Sequence, residues 1–114
     1  MQVREVKFRA WKKKQKQMVS TNLWDVKELN PSEDRYAVIM QFTGFRDKNT
    51  KEVFEGDILL NGTERMLVYW DEEDGSWQLE FDNGNQSVGI NKAVIEACEV
   101  VGNIYEDTGA GDDK

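Results

Sequence analysis

The chain predicts a mainly β protein, a small SH3-like barrel with an N-terminal β-hairpin extension. Three observations carry this reading. From Asp57 onward, apolar or alternating stretches of strand length recur between turn residues, five of them over about 50 residues. Near the start, Arg4 to Trp11 alternates, with Val6, Phe8 and Ala10 on one side and Lys7, Arg9 and Trp11 on the other. Between these regions, Tyr36 to Met40 is continuously apolar.

The first strand runs out at Lys12 to Gln17, which contains no apolar residue, and Met18-Val19 leads back. A hairpin over about residues 3 to 21 follows. Thr21 to Asp34 fits neither strand nor helix period. Leu23, Trp24, Val26 and Leu29 allow a helical turn or two, and Asn30-Pro31 has the residue types of a helix start. A covering loop with Trp24 on the sheet is expected. Arg35 to Phe42 is expected as a central strand buried on both faces. Thr43 to Lys51 reads as a polar turn region, turning at Lys48-Asn49-Thr50, and Val53-Phe54 as a short strand.

Glu55-Gly56-Asp57 then punctuates the chain, since Gly permits the bend and Asp favours the turn side of a strand boundary. Strands are expected over 57–60, 63–70, 76–81, 86–90 and 98–105. Asn61-Gly62, Asp71 to Gly75 and Asp82 to Asn85 are the turns, and 91–96 forms a single helical turn. The organisation is therefore a hairpin and covering segment over 1–51, a barrel over 52–106 and a disordered acidic tail over 107–114. The strand phases place Val38, Met40, Phe42, Ile58, Leu67, Leu79, Val101 and Ile104 inside. They leave open edges around Val6 to Trp11 and Tyr36 to Phe42.

Four blocks occur in order along the chain: Arg4-Glu5-Val6-Lys7-Phe8-Arg9-Ala10-Trp11, Met40-Gln41-Phe42-Thr43-Gly44, Glu55-Gly56-Asp57-Ile58 and Val100-Val101-Gly102-Asn103-Ile104-Tyr105-Glu106. Together they resemble the YopX family of bacteriophage and prophage proteins, over nearly the whole chain. The resemblance implies a small β protein with an SH3-like C-terminal part. It implies no activity and no functional residues. The chain departs from the family's habit at Lys12, where Asp is usual, at Phe45, where Leu is common, and at Asn49-Thr50, which replaces a frequent Asn-Gly.

The length of 114 residues, 39% apolar with 12 aromatics, suffices for one modest core. No apolar run approaches the roughly 18 residues of a membrane span, and no secretory leader is expected. Cys98 is the only cysteine. A reducing, cytoplasmic home in a bacterial host is the simpler reading. The acceptor patterns at Asn61-Gly62-Thr63 and Asn85-Gln86-Ser87 are then chance matches. The net charge of −7 is unevenly spread. The first 16 residues hold seven basic residues and one acid, so the other 98 hold 8 basic and 21 acidic, a balance of −13. Unlike charge in two regions suggests association between copies; a solvated hairpin tip is the plain alternative.

No enzyme is expected. The chain has no His, which removes the usual serine and cysteine triads and imidazole zinc sites. Cys98 lies in an apolar-flanked strand and reads as a buried, inert thiol. Gly84, Gly89 and Gly102 are isolated and open no phosphate-binding helix. The acidic turn before Gly75 fails as a calcium loop because Trp70 falls on the first ligand position. Neither cofactor nor metal is expected. The candidate binding residues are Lys12, Lys13, Lys14 and Lys16 at the hairpin tip, and Trp70 and Trp77, which face one another if their hairpin forms. The aromatic pair reads either as core or as a platform for a peptide. The expected function is a phage accessory role through binding another phage or host protein or assembling with itself. Alternatives are a nucleic-acid-binding module using the four lysines and an acidic mimic of DNA that inhibits a host protein. A homo-oligomer joined through the first 45 residues is expected.

Overall fold

The computed structural model describes residues 6–21, 37–82 and 86–106. Leu23, Trp24, Val26, Leu29, Asn30 and Pro31, and the tail over 107–114, lie outside the described residues.

The alternating N-terminal stretch forms β1 (Phe8–Lys12) and returns as β2 (Gln17–Thr21), with Phe8 opposite Thr21 and Lys12 opposite Gln17. Lys16 closes the turn in the left-handed region, at φ 55°. β3 (Val38–Arg46) pairs antiparallel with β1 on one side and β4 (Glu52–Phe54) on the other, giving a sheet of order β2-β1-β3-β4. β3 is therefore central, as expected. Two expectations about this sheet fail. First, neither β1 nor β3 is an edge; the edges are β2 and β4. Second, β3 is not buried on both faces. Met40 and Phe42 point inward while Ile39 is 43% exposed, so the apolar run obeys ordinary strand alternation.

β3 also outlasts its predicted end. Gly44 takes φ 93° where the β3–β4 register shifts, which is the backbone of a bulge. Thr43 Oγ1 donates to the Val53 carbonyl at 2.8 Å and accepts from Phe45 N–H at 3.1 Å. The bulge thus holds the two strands together and sends Phe45 towards the main core. The turn proper begins at Asp47. Its Oδ1 accepts from Asn49 and Lys51 N–H, and its Oδ2 from Val100 N–H, all within 2.9 Å. Thr50 sits in this turn at φ 65°.

From β5 (Asp57–Asn61) the chain runs through β6 (Glu64–Asp71), β7 (Ser76–Phe81) and β8 (Ser87–Gly89) as a meander, then through α1 (Lys92–Ile95) to β9 (Glu99–Asn103). β9 pairs with the free side of β5, so the order is β8-β7-β6-β5-β9. The single helical turn starts where Asn91 accepts the Val94 N–H at 2.9 Å. The molecule is mainly β, and this sheet curls as a half barrel compatible with the small barrel expected. Its concave face holds Leu59, Met66, Val68, Trp77, Leu79 and Val100, closed by Ile95 and Cys98 and joined by Val53 of β4. Although β4 pairs with β3, it contributes to the barrel core.

Some of the expected core is confirmed and some is out of phase. Met40, Phe42 and Leu79 are buried. Val38, Ile58, Leu67 and Ile104 are only half-buried, and Val101 is 41% exposed. The reason is local. Ile58-Leu59-Leu60 and Met66-Leu67-Val68 are unbroken apolar runs that carry no alternation to read. The inward positions go to Asp57 and Leu59, and a register shift between Ile58 and Leu59 turns Val100 in and Val101 out.

Candidate functional site

The four sequence blocks meet at the junction of the two sheets. Arg9 of β1 places Nη2 2.7 Å from Asp57 Oδ1 of β5 and 3.2 Å from the Glu55 carbonyl, with its guanidinium 4.7 Å from the Phe54 ring centre. Asp57 Oδ2 accepts the Phe54 N–H at 2.7 Å. Gly56 takes φ 88°, and a Cβ there would stand 3.1 Å from Met40 Sδ, so any other residue would be both strained and crowded at this point. Gly56 accepts from Ile104 N–H at 3.0 Å, and Tyr105 stacks on Trp11 at 6.1 Å. Burial pushes the Asp57 carboxyl up, against the opposing pull of Arg9 and the Phe54 N–H. The pair thus ties β1 of one sheet to β5 of the other.

The candidate residues fall into two groups on different sheets. Lys13, Lys14 and Lys16 are exposed at the β1–β2 tip, while Lys12, the last residue of β1, is half-buried. Other positive groups of the N-terminal region are engaged internally: Lys7 pairs with Glu52, and Arg9 with Asp57. Trp70 and Trp77 are brought together as the pattern implied. They are directly opposite in the β6–β7 register, with ring centres 5.0 Å apart and nearly edge to face. They divide the two readings between them, since Trp77 is core and Trp70 is 42% exposed. The Trp77 indole N–H is buried without an acceptor among the described residues.

The β6–β7 turn beside Trp70 is acidic and internally braced. Asp71 Oδ1 accepts from Glu73 and Asp74 N–H at 3.0 and 3.2 Å, and Asp74 Oδ2 accepts from Ser76 Oγ at 2.9 Å. Glu72 and Glu73 are exposed and make no ion pair among the described residues. A cavity of about 270 Å³ lies between Ile58, Leu67, Phe81 and Ile104, rimmed by Arg65 and Glu80. Among the described residues, no group of His, Cys, Asp or Glu is arranged to hold a metal, and no helix is long and apolar enough to cross a membrane. Cys98 is buried, its Sγ donating to the Val94 carbonyl at 3.2 Å, and burial together with Asp47 pushes its thiol up. The sequence reading missed the Arg9–Asp57 pair and the Asp47 hub. Their only signals were a polar residue inside an apolar strand context and an Asp opening a turn.

A family model described as YopX protein matches residues 7–109. Among solved structures, the chain is similar to protein EF1440 from Enterococcus faecalis, with a TM-score of 0.72 and 24% identity over 95% of this chain and 99% of that one. That likeness extends to the fold. No curated protein matches.

Proposed function

The chain belongs to the YopX family, and from that premise we propose that it is a cytoplasmic phage or prophage accessory protein that works by binding protein, its own copies included, and not by catalysis. The observation that carries this is Trp70. It is 42% exposed, held edge to face against buried Trp77 on two paired strands, and flanked by a braced turn. Tryptophan dominates binding energy where it is rigid and half-covered, because it offers a large contact area with little entropy left to lose. The lysine tip supports a nucleic-acid reading less well, because the −13 balance of the rest of the chain opposes phosphate.

Photo-crosslinking from position 70 in host cells tests this, with position 63 on the exposed β5–β6 turn as control. The expected result is a protein adduct at 70 and none at 63. Adducts to nucleic acid, or none at 70, would overturn the reading.

A further inference from the structure

We propose that Trp70 and the adjoining acidic turn are the docking surface for the β1–β2 lysine tip of a second copy, so that copies join head to tail. This rests on the reading of Trp70 as a protein-binding residue and names the occupant.

Three observations lead there. The first is charge complementarity on two exposed hairpin ends. Lys13, Lys14 and Lys16 on one, and Glu72 and Glu73 on the other, are solvent-facing and without ion pairs among the described residues. The second is rigidity. The acidic turn uses the carboxylates of Asp71 and Asp74 to hold its own backbone and Ser76, which leaves Glu72 and Glu73 to present charge outward. The lysine turn is equally defined, with Lys12 opposite Gln17 and Lys16 at φ 55°. Two preformed ends lose little entropy on meeting. The third is the chemistry of the acidic side. An exposed indole beside carboxylates suits an alkylammonium, which the ring face attracts and the glutamates neutralise.

Because the two ends lie on different sheets, the contact is heterologous. It either closes into a ring or continues as a chain, and each copy has one donor end and one acceptor end. Exposed ion pairs and one cation–π contact give a modest, salt-sensitive association.

The test is sedimentation velocity of the full chain across the micromolar range at low and high salt. The samples are wild type, a Lys13→Gln, Lys14→Gln, Lys16→Gln variant, a Glu72→Gln, Glu73→Gln variant, and the two variants mixed in equal amounts. All five positions are exposed, and circular dichroism confirms that each variant folds. Wild type is expected to grow with concentration and to dissociate in salt. Each variant alone should stay monomeric. The mixture should form a dimer and nothing larger, since a mixed pair retains one intact interface. Trp70→Leu, which keeps Trp77 covered, should weaken wild-type association about tenfold. Wild-type assembly surviving in either variant would overturn the docking while leaving self-binding intact. A wild type that stays monomeric throughout would overturn the head-to-tail contact, and the crosslink from position 70 would then decide separately whether another protein binds there.

Discussion

Thr50 carries the clearest local strain. A β-branched side chain at φ 65° crowds the backbone in a region that glycine enters freely. It is also the position where the sequence departs from the family's frequent Asn-Gly. The turn was legible from Lys48-Asn49-Thr50, but its cost was not, because propensity locates a turn without fixing φ at each residue. Thr50→Gly is expected to raise unfolding stability by about 1 kcal/mol in urea titration. Three residues earlier, Asp47 could not be recognised as a hub, since its third donor, Val100 N–H, lies 53 positions away. Burial alone would push its carboxyl up. The Val100, Lys51 and Asn49 N–H groups and the Lys51 charge outweigh that and hold it below 3.8. A depressed folded value means stability that is present above 3.8 and is surrendered as pH falls through the folded value. Asp47→Asn should therefore cost about 2 kcal/mol at neutral pH, and its deficit against wild type should narrow only below about pH 4 in acid titration.

At the level of elements, the barrel strands were largely readable because each is bounded by a strong turn such as Asn61-Gly62 or Asp71 to Gly75. Phase was readable only where alternation exists, as in Trp77, Leu79 and Phe81, and not in the unbroken runs of β5 and β6. The joining of the sheets was not readable at all. Arg9 and Asp57 are 48 residues apart, with side chains only 12% and 2% exposed, so their partnership leaves no local trace beyond a polar residue among apolar strand neighbours. Breaking such a pair from one side strands a buried charge. Arg9→Met or Asp57→Leu alone should each cost about 3–5 kcal/mol, and the double variant less than the sum, in a thermal double-mutant cycle. The pH signs differ between the singles. With Arg9 gone, the upward push of burial on Asp57 is unopposed by its main partner. A raised folded value contributes stability below the unfolded value and loses it as pH rises, so the Arg9→Met variant should gain stability on acidification from neutrality to about pH 5, whereas Asp57→Leu has no carboxyl there to respond.

Over the whole molecule, the charge division read from the sequence survives folding in altered form. Of the seven basic residues among the first 16, Lys7 and Arg9 are engaged by Glu52 and Asp57 in the structure. Among the described residues, the exposed positive charge of this region that is without an ion pair is concentrated at Lys13, Lys14 and Lys16, against −13 on residues 17–114. Composition could count these charges but could not say which were already neutralised, because pairing is a tertiary fact. For nucleic acid, the consequence is quantitative. Each neutralised phosphate contributes about −0.9 to the slope of log affinity against log salt on duplex DNA. The three exposed lysines of the tip therefore set a limit of about −2.7, and the acidic body subtracts from the affinity at every salt concentration. Fluorescence anisotropy with a labelled duplex should show weak binding at low salt with a slope no steeper than that, and none at physiological salt. The Lys13→Gln, Lys14→Gln, Lys16→Gln variant should lose even the low-salt signal. A steeper slope would require phosphate contacts beyond the tip, and binding that persists in salt would require base or stacking contacts. Either result would move the lysine tip from a protein-docking element to a nucleic-acid one.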